Sequence, residues 1–119
     1  MTVLEAIHEF DSLKPNSFSQ EQKIRWLDRL DSFILTSVFR CYPSRKNTHF
    51  TPGDPERILL MEGPGEEAYL HWLESKVHYF NEETERYNSA VRMFRSLFED
   101  YQRQLNQEEI PENPGIFRF

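Results

Sequence analysis

The sequence has one cysteine, four glycines and no long apolar run, and each shortage closes off a class of protein. With Cys41 alone no intrachain disulfide can form, so the chain lacks the cross-links of small secreted scaffolds and fits a reducing compartment. No stretch approaches the roughly 18 to 20 apolar residues that span a bilayer. The opening MTVLEAIHEF carries acids where a signal peptide would place a basic region and an apolar block. The expectation is a soluble protein that is not secreted through a signal peptide. Glycines at 53, 63, 65 and 115 spell neither a P-loop nor a dinucleotide fingerprint. Cys41 has no signature of a catalytic thiol around it, and no strand-turn-helix carries a nucleophile elbow.

Basic charge is scarce too, and unevenly so. Residues 1–61 hold eight acidic and eight basic side chains, whereas residues 62–119 hold twelve and six, so the whole net charge of -6 lies in the second half. A surface built to neutralise phosphates needs a basic stripe. No specific nucleic-acid binding is expected, and neither a membrane, a small-molecule substrate nor a cofactor is implied.

What the chain does have is aromatic bulk, with ten Phe, five Tyr and two Trp in 119 residues. That is more than a disordered segment carries, and a thin helical domain has too little interior to hide all of it. Its arrangement is helical. Val3, Ile7, Phe10 and Leu13 form one stripe before Pro15-Asn16, predicting a short helix over Thr2 to Leu13. Ser19, with Gln22 three residues on, opens a second, in which Ile24, Leu27, Leu30, Phe33, Ile34 and Val38 recur to about Phe39. Trp26, Leu35 and Phe39 widen its apolar arc enough for two neighbours.

A long loop over Cys41 to Asp54 follows. Arg57 to Met61 then reads as a strand or extended arm before the break at Gly63-Pro64-Gly65. From Glu66 to about Gln107, Leu73, Val77, Phe80, Thr84, Tyr87, Val91, Phe94, Phe98, Tyr101 and Leu105 alternate steps of four and three. Asn81 to Glu85 looks like a helix start, which leaves room for a kink or a hairpin. No Gly or Pro supplies a turn there, however, so the expectation is a continuous or merely kinked helix about 60 Å long at 1.5 Å per residue. The expected fold is therefore all-α: two N-terminal helices, an extended loop and arm, and a long C-terminal helix. One helical domain covers residues 1–110, and 111–119 form an extended tail.

The best metal or catalytic candidate is Glu67, His71, Glu74 and His78, which share one helical face. The di-iron helical motif needs Glu and His three apart, and here they are four apart with no second such helix, so a solvated face is the better reading. Glu66-Glu67 and Glu82-Glu83 sit where helices are expected to start, and dipole stabilisation accounts for them there without acid-base chemistry. Arg86, Arg92, Arg95 and Arg103 have acids nearby and read as surface ion pairs. The chain is not expected to be an enzyme.

Two stretches carry a resemblance. Asp11-Ser12-Leu13-Lys14-Pro15-Asn16 leads into Lys23-Ile24-Arg25-Trp26-Leu27-Asp28, and Tyr69-Leu70-His71-Trp72-Leu73-Glu74 leads into Phe80-Asn81 and Arg86-Tyr87-Asn88. Together these resemble small structural proteins encoded among the head genes of prophages in Gram-positive bacteria, described as head-tail connector or adaptor proteins. The family pattern has Gly at the position of Glu82 and a Pro-x-Pro-Tyr stretch where this chain has Gly63-Pro64-Gly65. The resemblance implies a virion component without an active site, made in the bacterial cytoplasm and built into the neck. Its partners would be further copies of itself, often as a ring, and portal, neck or tail proteins. An acidic half would suit a ring through which DNA passes. On that reading the contact residues are Ile58, Leu59 and Leu60 in the arm and Ile116, Phe117 and Phe119 in the tail. The alternative is a helical interaction or regulatory module that binds a cellular partner.

Overall fold

The structure, a computed structural model, describes residues 1–112. Among them are four α-helices: α1 (Val3–Leu13), α2 (Gln20–Phe33), α3 (Pro64–Phe80) and α4 (Thr84–Glu108). The all-α class expected from the sequence is what forms.

Local chemistry explains where the first two helices start. Thr2 accepts the Glu5 amide at 3.1 Å while the Glu5 carboxylate accepts the Thr2 amide at 3.0 Å, a reciprocal capping box. Ser19 accepts the Gln22 amide at 3.1 Å. The other half of that box is missing, because the Gln22 side chain accepts from Arg25 instead. α2 runs on through a π turn (Ile34–Val38) and a 3-10 turn (Phe39–Cys41), so the apolar period continues to Phe39 although the α-helix itself stops at Phe33.

α3 is the central element, touching α1, α2 and α4. Its N-terminus lies beside the C-terminal end of α4, where a Cβ on Gly65 would meet Tyr101, so the two helices are antiparallel. Val3, Ile7 and Phe10 of α1, Ile24, Leu27 and Leu30 of α2, Leu73 and Val77 of α3, and Phe94, Phe98, Tyr101 and Leu105 of α4 join in one core. The heptad stripe is thus buried largely within the chain. The molecule measures 41 × 30 × 19 Å, too short for a 60 Å rod.

The rod is absent because α3 and α4 are separate helices. At Asn81–Glu83 the amide of Glu83 bonds the carbonyl of His78 at 2.9 Å and that of Glu82 bonds Tyr79 at 3.2 Å, the two hydrogen bonds of a Schellman cap. The cap requires a left-handed residue, and Glu82 supplies it with φ of 58°. The expectation of continuity through this point is corrected: the junction is a tight hairpin, made without Gly or Pro. Because a side chain in this conformation costs stability that glycine avoids, Glu82→Gly should raise the unfolding free energy by roughly 0.5 to 1 kcal/mol. Urea denaturation should show the higher midpoint with an unchanged slope.

The arm is anchored rather than free. The Val3 amide bonds the Arg57 carbonyl at 3.0 Å and the Leu59 amide bonds the Met1 carbonyl at 3.0 Å, giving an isolated antiparallel bridge between Thr2 and Ile58. Side chains alternate along it as in a strand: Arg57, Leu59 and Met61 are buried, whereas Ile58 is 62% exposed.

Candidate functional site

Three groupings of side chains could carry function. The first is buried. Asp31 of α2, fully enclosed, accepts Arg57 Nη1 at 2.7 Å, the Leu60 amide at 3.2 Å and the Tyr69 hydroxyl. Tyr69 in turn accepts the Met61 amide at 2.9 Å. Arg57 also reaches Asp28 at 2.9 Å, and its guanidinium lies 4.1 Å from the centroid of the Phe50 ring. Burial pushes the Asp31 carboxyl above its ordinary value against the opposing pull of Tyr69 and Arg57. Burial likewise pushes the Tyr69 hydroxyl well up, with the Asp31 charge adding to it. Perturbed groups of this kind can mark catalysis. Here their hydrogen bonds run to one another and to the arm backbone, which makes the group a clamp tying the arm to α2 and α3.

The second grouping is the acid-histidine face. The structure does bring Glu67, His71, Glu74 and His78 onto one side of α3, in pairs. His71 lies 3.9 Å from Glu67 and 3.5 Å from Glu74, while His78 lies 3.9 Å from Glu74 and 3.1 Å from Glu83. Glu74 is also held by Lys14 at 3.1 Å. Among the described residues no group of three or more His, Cys, Asp or Glu side chains is placed to hold a metal ion. His78 instead bridges the hairpin, and its hydrogen bond, followed by the Arg86 charge, holds the Glu83 carboxyl below its ordinary value.

The third grouping is an aromatic tip. Where the hairpin turns, Tyr79 is 60% and Phe80 52% exposed, and Tyr87 is half-buried beside them. Phe80 stacks on Trp26 with centroids 5.7 Å apart and planes 12° from parallel, and Phe18 closes on both rings at 5.2 and 6.2 Å. Tyr79 continues the series to Phe80 at 5.2 Å and to Tyr87 at 5.7 Å. A groove of about 410 Å³ runs among His78, Tyr79, Phe80, Glu82, Glu83, Thr84 and Tyr87. Glu82 and Glu83 line it, the second paired with Arg86 at 3.0 Å, and leave its rim acidic. Packed rings hold the platform rigid while their outer faces stay open to solvent.

The residues expected to make contacts fall differently. Leu59 is 4% exposed and Leu60 is half-buried against the core, while Ile58 remains outward. Ile116, Phe117 and Phe119 lie outside the described residues. From the sequence the aromatic stripe Phe80, Tyr87, Phe94, Phe98 and Tyr101 reads as core or subunit contact alike, and because Phe80 and Tyr87 keep its phase nothing singles them out as a tip. The signal that could have found it is Asn81 to Glu85, read as a helix start.

No protein-family model, curated protein or solved structure matches the chain.

Proposed function

We propose that the chain is a non-enzymatic structural subunit, of the head-tail connector or adaptor kind in the neck of a tailed phage, that works by binding other protein subunits. The aromatic tip carries this reading. A monomer gains nothing by exposing Tyr79 and Phe80 side by side, since apolar area left in water forgoes about 25 cal/mol per Å². Clustered aromatic rings beside a charged rim are the composition of protein contacts. The resemblance of the two sequence stretches to prophage connector proteins supplies the setting.

The reading is tested by absolute mass from light scattering over a wide concentration range. The wild-type mass should rise with concentration, and Tyr79→Ser with Tyr87→Ser should suppress the rise while leaving the helical circular dichroism unchanged. A constant monomer mass at every concentration contradicts the reading.

A further inference from the structure

The aromatic tip sits at one end of the helical hairpin, and the chain leaves the described structure at the other. Glu112 is held there by a hydrogen bond from its amide to the Cys41 carbonyl and by an ion pair to Lys46. The segment around Cys41 is itself fixed to the end of α4: Tyr42 bonds Asn106 at 2.6 Å, the Ser44 amide bonds Glu109 at 3.0 Å and Arg45 pairs with Glu108 at 3.2 Å. Beyond this anchor come Asn113-Pro114-Gly115-Ile116-Phe117-Arg118-Phe119.

Reach decides which tip that sequence can meet. Asn106 and Tyr87 are nineteen residues apart on α4, roughly 29 Å along the helix axis. Phe117 stands five residues past Glu112 and Phe119 seven, so their Cα atoms extend at most about 17 and 24 Å from the anchor. Even fully stretched, both backbones stop short of Tyr87 of the same chain, so meeting its own tip would take a taut tail with the Phe119 ring at full extension, at the full entropic cost of ordering it. A second copy has no such restriction.

The chemistry is matched as well. The tip offers open aromatic faces and an acidic rim, and residues 113–119 offer Ile116, Phe117 and Phe119 with Arg118 as their one charged side chain. Rings can stack on Tyr79 and Phe80 while the guanidinium faces Glu82. The groove is large enough for a few side chains and lies toward the lower end of the size range of small-molecule clefts.

Resting on the assembly reading above, we propose that the tip of one copy receives the Phe117-Arg118-Phe119 segment of the next, so that copies join head to tail. Such a contact uses two different surfaces of the same chain. Repeated, it closes into a ring or continues as a filament, according to the rotation it imposes.

Mixing two full-length variants tests this. Tyr79→Ser with Tyr87→Ser leaves a chain with a tail but no tip, and Phe117→Ser with Phe119→Ser leaves one with a tip but no tail. Each alone should stay monomeric by light scattering with unchanged helical circular dichroism, and an equal mixture should form one-to-one dimers of twice the monomer mass and nothing larger. Arg118→Glu in the tip-lacking partner should weaken that dimer tenfold or more. If wild-type chains assemble but the mixture stays monomeric, or either variant assembles alone, the head-to-tail contact is wrong and the assembly reading stands. If wild-type chains never assemble, both fall.

Discussion

Replacing Arg57 by alanine should remove about 3 to 5 kcal/mol of stability at neutral pH, because it leaves the enclosed Asp31 carboxylate without its ion-pair partner. For a domain whose whole margin is roughly 5 to 15 kcal/mol, that is a large fraction of it. The loss should shrink on acidification. Burial already raises the Asp31 carboxyl above its unfolded value, and removing Arg57 raises it further. A carboxyl raised in the folded state binds its proton more tightly there than in the unfolded chain. Its stabilising contribution is therefore present below the unfolded pKa and is lost as pH rises through the folded one. Urea titrations at pH 5 and pH 7 should show the variant closer to wild type at pH 5. A loss under 1 kcal/mol at neutral pH would mean that the clamp does not hold the arm.

Gly65→Ala should cost about 3 kcal/mol, acting on the same arm from the other side. A Cβ at Gly65 would stand 2.3 Å from the Met61 Cβ and 3.2 Å from the Tyr101 ring. The first contact is between atoms attached directly to two backbones, so no rotamer change relieves it. Either α3 or the arm must shift, and overpacking of this kind typically costs 1 to 3 kcal/mol. Because Met61 donates its amide to Tyr69 within the Asp31 clamp, the two perturbations share a mechanism. Gly65→Ala and Arg57→Ala combined should cost less than the sum of the two alone, as expected of coupled neighbours. Thermal unfolding of the two single variants and the double variant checks this. Strict additivity would separate the Gly65 contact from the clamp.

The sequence foretold the elements whose determinants lie close together along the chain. Of the stripe Val3, Ile7, Phe10 and Leu13 the first three are buried and Leu13 is 63% exposed, and Ser19 caps α2 as read. The arm was legible as extended because Arg57 to Met61 is a short apolar run ahead of the break at Gly63-Pro64-Gly65, but its anchorage was not. It depends on Arg57 meeting Asp31 across 26 residues and on Asp31 meeting Tyr69 across 38, pairings that no local pattern encodes.

Continuity was preferred to a hairpin for a different reason. A three-residue break happens to preserve the helical phase, so Phe80 and Tyr87 carry the spacing of core residues while flanking a turn. The left-handed position is filled by Glu82, so no Gly announces the turn. The candidate site follows from that substitution of expectation. Phe94, Phe98 and Tyr101 remained core, whereas Phe80 left the stripe for the surface.

Hydrogen-deuterium exchange at low and high protein concentration tests most directly whether the aromatic tip is the surface through which this protein assembles. The amides of residues 82–87, which cap and open α4 at the turn, should gain protection as concentration rises, while the core of α3 stays as slow as before. Unchanged exchange at the tip, with protection growing elsewhere or nowhere, would contradict the account.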